Sequence, residues 1–112
     1  MNEYDLATPC YILNENEFIH NITCFHKELA SKFKKHIMGY SFKTNSLPRL
    51  LQVVKEQNCM AEVVSDDEFQ LAKRMGFPID RIIYNGPIKD KAFIFRGCDK
   101  WSYCEYRFSS RT

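Results

Sequence analysis

The sequence predicts an α/β fold, namely about the first three strand–helix units of a (β/α)8 barrel, preceded by a leading strand and helix. Three observations predict it. Short apolar runs recur at Ile37 to Phe42, Ala61 to Val64 and Ile82 to Asn85, of a length suited to strands. Between them lie segments whose apolar residues keep helical spacing. Capping residues, glycines and prolines punctuate the joins. Such alternation implies a parallel sheet with right-handed crossovers. A closed barrel takes roughly 250 residues. A chain of 112 residues supplies about three of the eight strands and is too short to close one.

The elements follow in order. Thr8 to Leu13 is a short apolar run, and Pro9 suits a strand beginning or an edge position. Asn14 and Glu17 form a capping-box pattern with Asn in place of Ser or Thr. Phe18, Ile22, Phe25, Leu29 and Phe33 then mark one face of a helix running to about Lys35. Ile37 to Phe42 is the first barrel-type strand. Ser46 is the expected cap of the next helix, with Pro48 in its first turn and Leu50, Leu51 and Val54 as its stripe. That helix ends near Asn58. Ala61 to Val64 is the second strand. Ser65 and Glu68 make a capping box for a helix through Met75, closed by Gly76. Ile82 to Asn85 is the third strand, ended by Gly86-Pro87. A fourth helical stretch starts near Lys89, with Gly97 as a stop signal.

The first strand ends at a lysine. Alternation puts Gly39, Ser41 and Lys43 on one face and Met38, Tyr40 and Phe42 on the other. The Lys43 face has very small neighbours, which leave room beside the amine. The opposite face is bulky, as a strand covered by helices requires. Barrel enzymes place their chemistry at the C-terminal ends of strands. A desolvated lysine is partly neutral and nucleophilic, able to form a Schiff base with an aldehyde. The plain alternative is a lysine that ends the strand with its ammonium in water. Glu62 is the odd residue of the second strand. It lies either at an exposed strand start or faces the strand interior as an acid.

Composition narrows the class. The net charge of +2 is too small to call for a nucleic-acid partner. No apolar run is long enough to span a bilayer, and the N-terminus is acidic and polar, so a cytoplasmic protein is expected. Five cysteines, Cys10, Cys24, Cys59, Cys98 and Cys104, are scattered without a Cys-x-x-Cys pair and read as reduced packing residues. His20, Cys24 and His26 share part of a helical face, but no second ligand cluster completes a site, so no metal is expected.

The segment Tyr40-Ser41-Phe42-Lys43-Thr44-Asn45-Ser46-Leu47-Pro48 resembles the lysine motif of the fold-type III, alanine-racemase-fold, pyridoxal-phosphate decarboxylases. This is the family acting on diaminopimelate, ornithine and arginine. Three further segments resemble it in the same order: Thr8 to Leu13, Ala61 to Glu68, and Ile82 to Lys89. Alanine racemases typically carry a different pattern after the lysine, and Asn45-Ser46-Leu47-Pro48 departs from it. The resemblance implies a carboxy-lyase whose cofactor, pyridoxal 5'-phosphate, is held by Lys43 as an internal aldimine. Lys43 is then the catalytic residue, and Lys43 and Glu62 bind the cofactor. Glu62 stands where the family usually has aspartate. The implied partners are a small amino-acid substrate and, for a full-length protein, a second copy in a homodimer.

Residues 1–95 are expected to form the N-terminal part of the cofactor-binding barrel. Residues 96–112 match neither the family nor any apolar period, and form a tail expected to be out of frame. The expectation is a truncated decarboxylase. The alternative is a non-catalytic pyridoxal-binding protein, or one subunit of a split enzyme.

Overall fold

The structure, a computed structural model, describes residues 5–85. The end of the third strand motif, the helical stretch near Lys89 and the tail from 96 onward lie outside the described residues.

Helix α1 spans Glu15–Lys32. The Asn14 side chain accepts a hydrogen bond from Glu17 N at 3.1 Å, which satisfies one of the free amides of the first turn. Glu15 and Glu17 in that turn and Lys32 in the last suit the helix dipole. The helix stops three residues short of Lys35, with Phe33 as its extended C-cap. A further turn would add Lys34 and Lys35 to the end that already holds Lys32, and like charges there repel. Of the predicted apolar face, Ile22 is buried and Phe18 and Leu29 are half-buried, whereas Phe25 and Phe33 are exposed. The face therefore packs on the sheet along only part of its length.

Three parallel strands follow, in the order β1-β2-β3: Gly39–Ser41, Met60–Val63 and Ile82–Tyr84. Helix α2, Pro48–Glu56, joins the first pair, and α3, Asp66–Arg74, with a short 3-10 turn at Ile79–Arg81, joins the second. These are the predicted strand–helix units, with β1 and β3 shorter than expected and β2 shifted one residue toward the N-terminus. The leading segment is a correction. Thr8 to Leu13 forms no strand, and Tyr11, Ile12 and Leu13 are exposed. A strand exists only through its hydrogen-bonding neighbours, and none of the described strands pairs with this segment.

Both interior helices end alike. Asn58 N bonds to Lys55 O and Cys59 N to Val54 O, with Asn58 at φ 59°. Gly76 N bonds to Lys73 O and Phe77 N to Ala72 O, with Gly76 at φ 85°. Each is a Schellman closure through a left-handed residue, and each returns the chain to the start of a strand.

Register sorts the sheet into two faces. Tyr40 pairs with Ala61, Ala61 with Ile82, and Val63 with Tyr84. With Phe42, these side chains face the helices. The core they form with Ile22 of α1, Leu51 and Val54 of α2 and Phe69 and Ala72 of α3 is closed by Cys59 and Phe77. Phe42 and Phe77 meet edge to face at 5.7 Å. Gly39, Ser41, Met60, Glu62 and Ile83 belong to the other face, as strand alternation requires.

Candidate active site

Lys43 lies just past the C-terminal end of β1. The ladder runs one residue beyond the strand, through Phe42 N to Glu62 O at 3.0 Å. The backbone then turns. Thr44 N and Thr44 Oγ1 both donate to Ser41 O, at 3.3 and 2.7 Å. Lys43 therefore sits in a turn closed by Ser41 and Thr44 rather than on the strand itself. Its side chain is exposed and has no hydrogen-bond or ion-pair partner among the described residues. The apolar enclosure expected around the amine is thus not supplied by these residues.

The turn is continuous with the start of α2. Ser46 does not cap that helix. Leu47 is the N-cap position and gives no side-chain bond, while Pro48 fills the first turn. The Asn45 side chain accepts from Leu47 N at 3.2 Å, an Asx turn that leads into the helix.

The face beside Lys43 carries one hydroxyl and one carboxylate. Ser41 pairs with Glu62 across the strands and Glu62 with Ile83, so the three share a row. Ser41 Oγ is buried without a hydrogen-bond partner among the described residues. An unpaired buried hydroxyl is costly unless a further group meets it. Glu62 is half-buried within β2, on the row of Ser41 and Ile83, rather than at an exposed strand start. Its Oε1 accepts from Asn85 Nδ2 at 3.2 Å. The room expected at Gly39 is partly taken: a Cβ there would lie 3.2 Å from Ile83 Cδ1 and 3.6 Å from Glu62 Cβ.

Asn85 was not singled out from sequence, although counting by twos from Ile83 puts it on the Glu62 face. Ser65 and Glu68 act as the cap of α3. Ser65 Oγ accepts from Glu68 N at 3.2 Å, and Glu68 Oε2 accepts from Val64 N at 2.7 Å. The histidines of α1 make polar contacts with their neighbours. His20 meets Cys24, at 3.4 Å. His26 turns the other way, 3.1 Å from Gln57 O and 3.5 Å from His36. No group of three or more His, Cys, Asp or Glu among the described residues is placed to hold a metal.

The described residues thus form a parallel strand–helix repeat, with Lys43 just past the end of β1 and Ser41 and Glu62 paired on one face of the sheet. The chain belongs to the pyridoxal-dependent decarboxylases, whose pyridoxal binding domain matches residues 19–100. It is 37% identical over 79 residues to the probable chloroplastic diaminopimelate decarboxylase of Oryza sativa subsp. japonica. That alignment covers 70% of this chain and 16% of the rice protein. It is 28% identical over 99 residues to the diaminopimelate decarboxylase of Bacteroides thetaiotaomicron, covering 88% of this chain and 25% of that one. The crystal structure of M. jannaschii diaminopimelate decarboxylase in complex with L-lysine superposes with a TM-score of 0.66 at 26% identity, over 86% of this chain and 23% of that one. The chain thus spans a quarter or less of the length of these relatives. The family is enzymatic and uses pyridoxal phosphate. No helix among the described residues is long and apolar enough to cross a membrane.

Proposed function

We propose that this chain supplies the first strand–helix units of the cofactor-binding barrel of a diaminopimelate-type decarboxylase, with Lys43 as the residue that holds pyridoxal phosphate covalently. The observation that carries the reading is Lys43 itself. It stands at the C-terminal end of a parallel strand, without a hydrogen-bond or ion-pair partner among the described residues, next to the row of Ser41 and Glu62. The residues fit the cofactor. Lys43 offers a primary amine to its aldehyde, Ser41 offers a buried hydroxyl without a partner among the described residues, and Glu62 offers a carboxylate at the same face. When bound, the cofactor supplies the electron sink that accepts the carbanion left by departing carbon dioxide.

The chain's own residues then have distinct tasks. Lys43 Nζ would anchor the cofactor at the C-terminal end of β1. Ser41 Oγ donates a hydrogen bond into the site. Glu62, held by Asn85, stabilises positive charge on the ring or the bound amino group. Diaminopimelate or a related diamino acid is the substrate class that the relatives' names support. A homodimer of the full-length protein is the assembly we infer from the family resemblance.

The test is covalent capture. The chain is incubated with pyridoxal phosphate, reduced with borohydride and mapped by peptide mass spectrometry. The label is expected on Lys43 and is expected to vanish in Lys43→Ala. A label concentrated on any other lysine would overturn the assignment.

A further inference from the structure

The turn that carries Lys43 is tied to the core from the opposite side of the sheet. Tyr40 belongs to the helix-facing row, two residues before Phe42. Its ring is half-buried and stands edge-on to Phe18 of α1 at 6.1 Å and to Phe42 at 6.5 Å. From there its hydroxyl donates to Asn45 O at 2.9 Å. Within the turn the other bonds are local, from Thr44 to Ser41 O and from Leu47 N to Asn45 Oδ1, while Phe42 N, just before it, joins the ladder at Glu62 O. Phe42 and Tyr40 thus tie this exposed turn to the packed interior, Phe42 by burial at its start and Tyr40 by a hydrogen bond to its far side. Burial pushes the phenol up from its ordinary range, with the Thr44 side chain beside it pulling the other way, so the group remains a neutral donor at neutral pH.

We propose that Tyr40 is a positioning residue for Lys43, and that its hydroxyl latches the Lys43 turn to the hydrophobic core. The role rests on the reading of Lys43 as the cofactor's attachment point. The geometry explains why a tyrosine, and not a phenylalanine, suits this buried face. A phenylalanine would keep both ring contacts but leave Asn45 O without its donor. Asn45 receives the latch through its backbone and holds Leu47 N through its side chain, so one residue passes the restraint from the core to the start of α2. The lysine between the two anchors, Ser41 O and Asn45 O, is thereby held over the strand end although its own side chain has no hydrogen-bond or ion-pair partner among the described residues.

The experiment compares Tyr40→Phe with the unaltered 112-residue chain by two readouts. The first is amide hydrogen exchange at Thr44 and Leu47, which reports the latch without any cofactor. The second is the yield of borohydride-fixed pyridoxal phosphate on Lys43 relative to Lys27 and Lys73, which lie on α1 and α3. In Tyr40→Phe, exchange at both amides is expected to quicken by about fivefold, the factor carried by one ordinary hydrogen bond, and the Lys43 share of the label to fall by a similar factor. Labelling at Lys27 and Lys73 should stay the same. Unchanged exchange would overturn the latch. Faster exchange with an unchanged Lys43 share would overturn its role in positioning. If the unaltered chain is labelled elsewhere than Lys43, the attachment reading fails and the positioning role fails with it, while exchange still judges the latch. Should Tyr40→Phe not fold, unprotected Thr44 and Leu47 amides in the unaltered chain would themselves overturn the latch.

Discussion

Asn85, one residue past the end of β3, donates from Nδ2 to Glu62 Oε1 in the middle of β2, at 3.2 Å. The bond crosses from one strand to its neighbour on the face that Lys43 borders. The Glu62 carboxylate is thereby held at the end of the next strand.

Breaking that bond should loosen the site more than the fold. Asn85→Ala is expected to cost about 0.5–1.5 kcal/mol at most, the range of one ordinary hydrogen bond, and less because the pair is partly exposed. Glu62→Asp is expected to lose the same bond by shortening the side chain. Both variants should weaken pyridoxal phosphate capture while the urea midpoint moves little. Capture equal to that of the unaltered chain in both would show that the pair does not serve the cofactor.

The helix cap of α3 gives a sharper stability effect. Ser65 Oγ holds Glu68 N, and Glu68 returns to Val64 N, one residue outside the usual box. Ser65→Ala should cost about 1 kcal/mol, in line with other N-cap removals. Glu68→Ala should cost a similar amount through the free Val64 amide. Because the two bonds share one turn, the double variant should cost less than the sum of the singles. Urea midpoints of the three variants decide this.

The alternation of Gly39 and Ser41 against Tyr40 and Phe42 was legible because small and bulky residues change places at every step, and a parallel strand makes that a choice of face. The Ser65 box and the Gly76 stop were legible for equally local reasons. What could not be read depended on contacts distant in sequence. The run from Thr8 to Leu13 looks strand-like, but a strand is decided by its neighbours. Ser46 is the right residue type for a cap, yet the N-cap position falls on Leu47, one residue later. Phe25 and Phe33 keep the helical period of α1, but the described sheet covers only the half of that helix around Ile22. Lys43 was placed correctly at the strand end. That it sits in a turn, and that Tyr40 ties the turn down, needed three dimensions.

Cysteine reactivity separates the buried thiol from the rest. Cys59 is buried, 3.6 Å from His26 Nε2, and its backbone carbonyl accepts from Arg81. Burial raises its thiol above the ordinary range, with the Arg81 charge opposing. The sign follows directly. The folded state disfavours the thiolate, so this group's contribution to stability is complete at neutral pH and declines as pH rises through the ordinary thiol range. At neutral pH, Cys10 and Cys24, both exposed, should react with a disulfide reagent at once. Cys59 should react only on unfolding. Peptide mapping of the labelled chain checks the order, and prompt labelling of Cys59 would contradict the packing described.

The Glu15–Arg49 pair should register in acid. The two side chains bond at both carboxylate oxygens and join the starts of α1 and α2. The Arg49 hydrogen bond holds the Glu15 carboxyl below its ordinary value, with burial opposing weakly. A depressed folded value means that the pair's stabilisation is present above the ordinary glutamate range and is lost as pH falls through and below it. Both groups are solvent-exposed, so the effect is small and screened by salt. The gap in melting temperature between the unaltered chain and Arg49→Ala should narrow as pH drops below that range. A constant gap down to strongly acid pH would mean that Arg49 stabilises through packing alone.

The 112-residue chain produced by itself should be marginally stable, prone to self-association and without measurable decarboxylation. Its described sheet has three strands, and among the described residues neither outer strand is paired on its far side. Unpaired strand edges invite association. Tyr11, Ile12, Phe25, Phe33, Ile37 and Leu47 all meet water. Burial of such surface is what must offset the conformational entropy lost on folding, so leaving it open weakens the folded state. Lys43 is exposed as well. A Schiff-base lysine gains its reactivity from desolvation and its precision from a surrounding shell, and the described residues supply little of either. Sedimentation at rising concentration, thermal unfolding, and carbon dioxide release from diaminopimelate, lysine, ornithine and arginine test the three parts separately. The expected result is concentration-dependent association, a broad transition and no turnover. A monomer with a sharp cooperative transition and turnover on any of these amino acids would show that these residues form a self-sufficient enzyme, and that the open edges and exposed apolar side chains do not limit it.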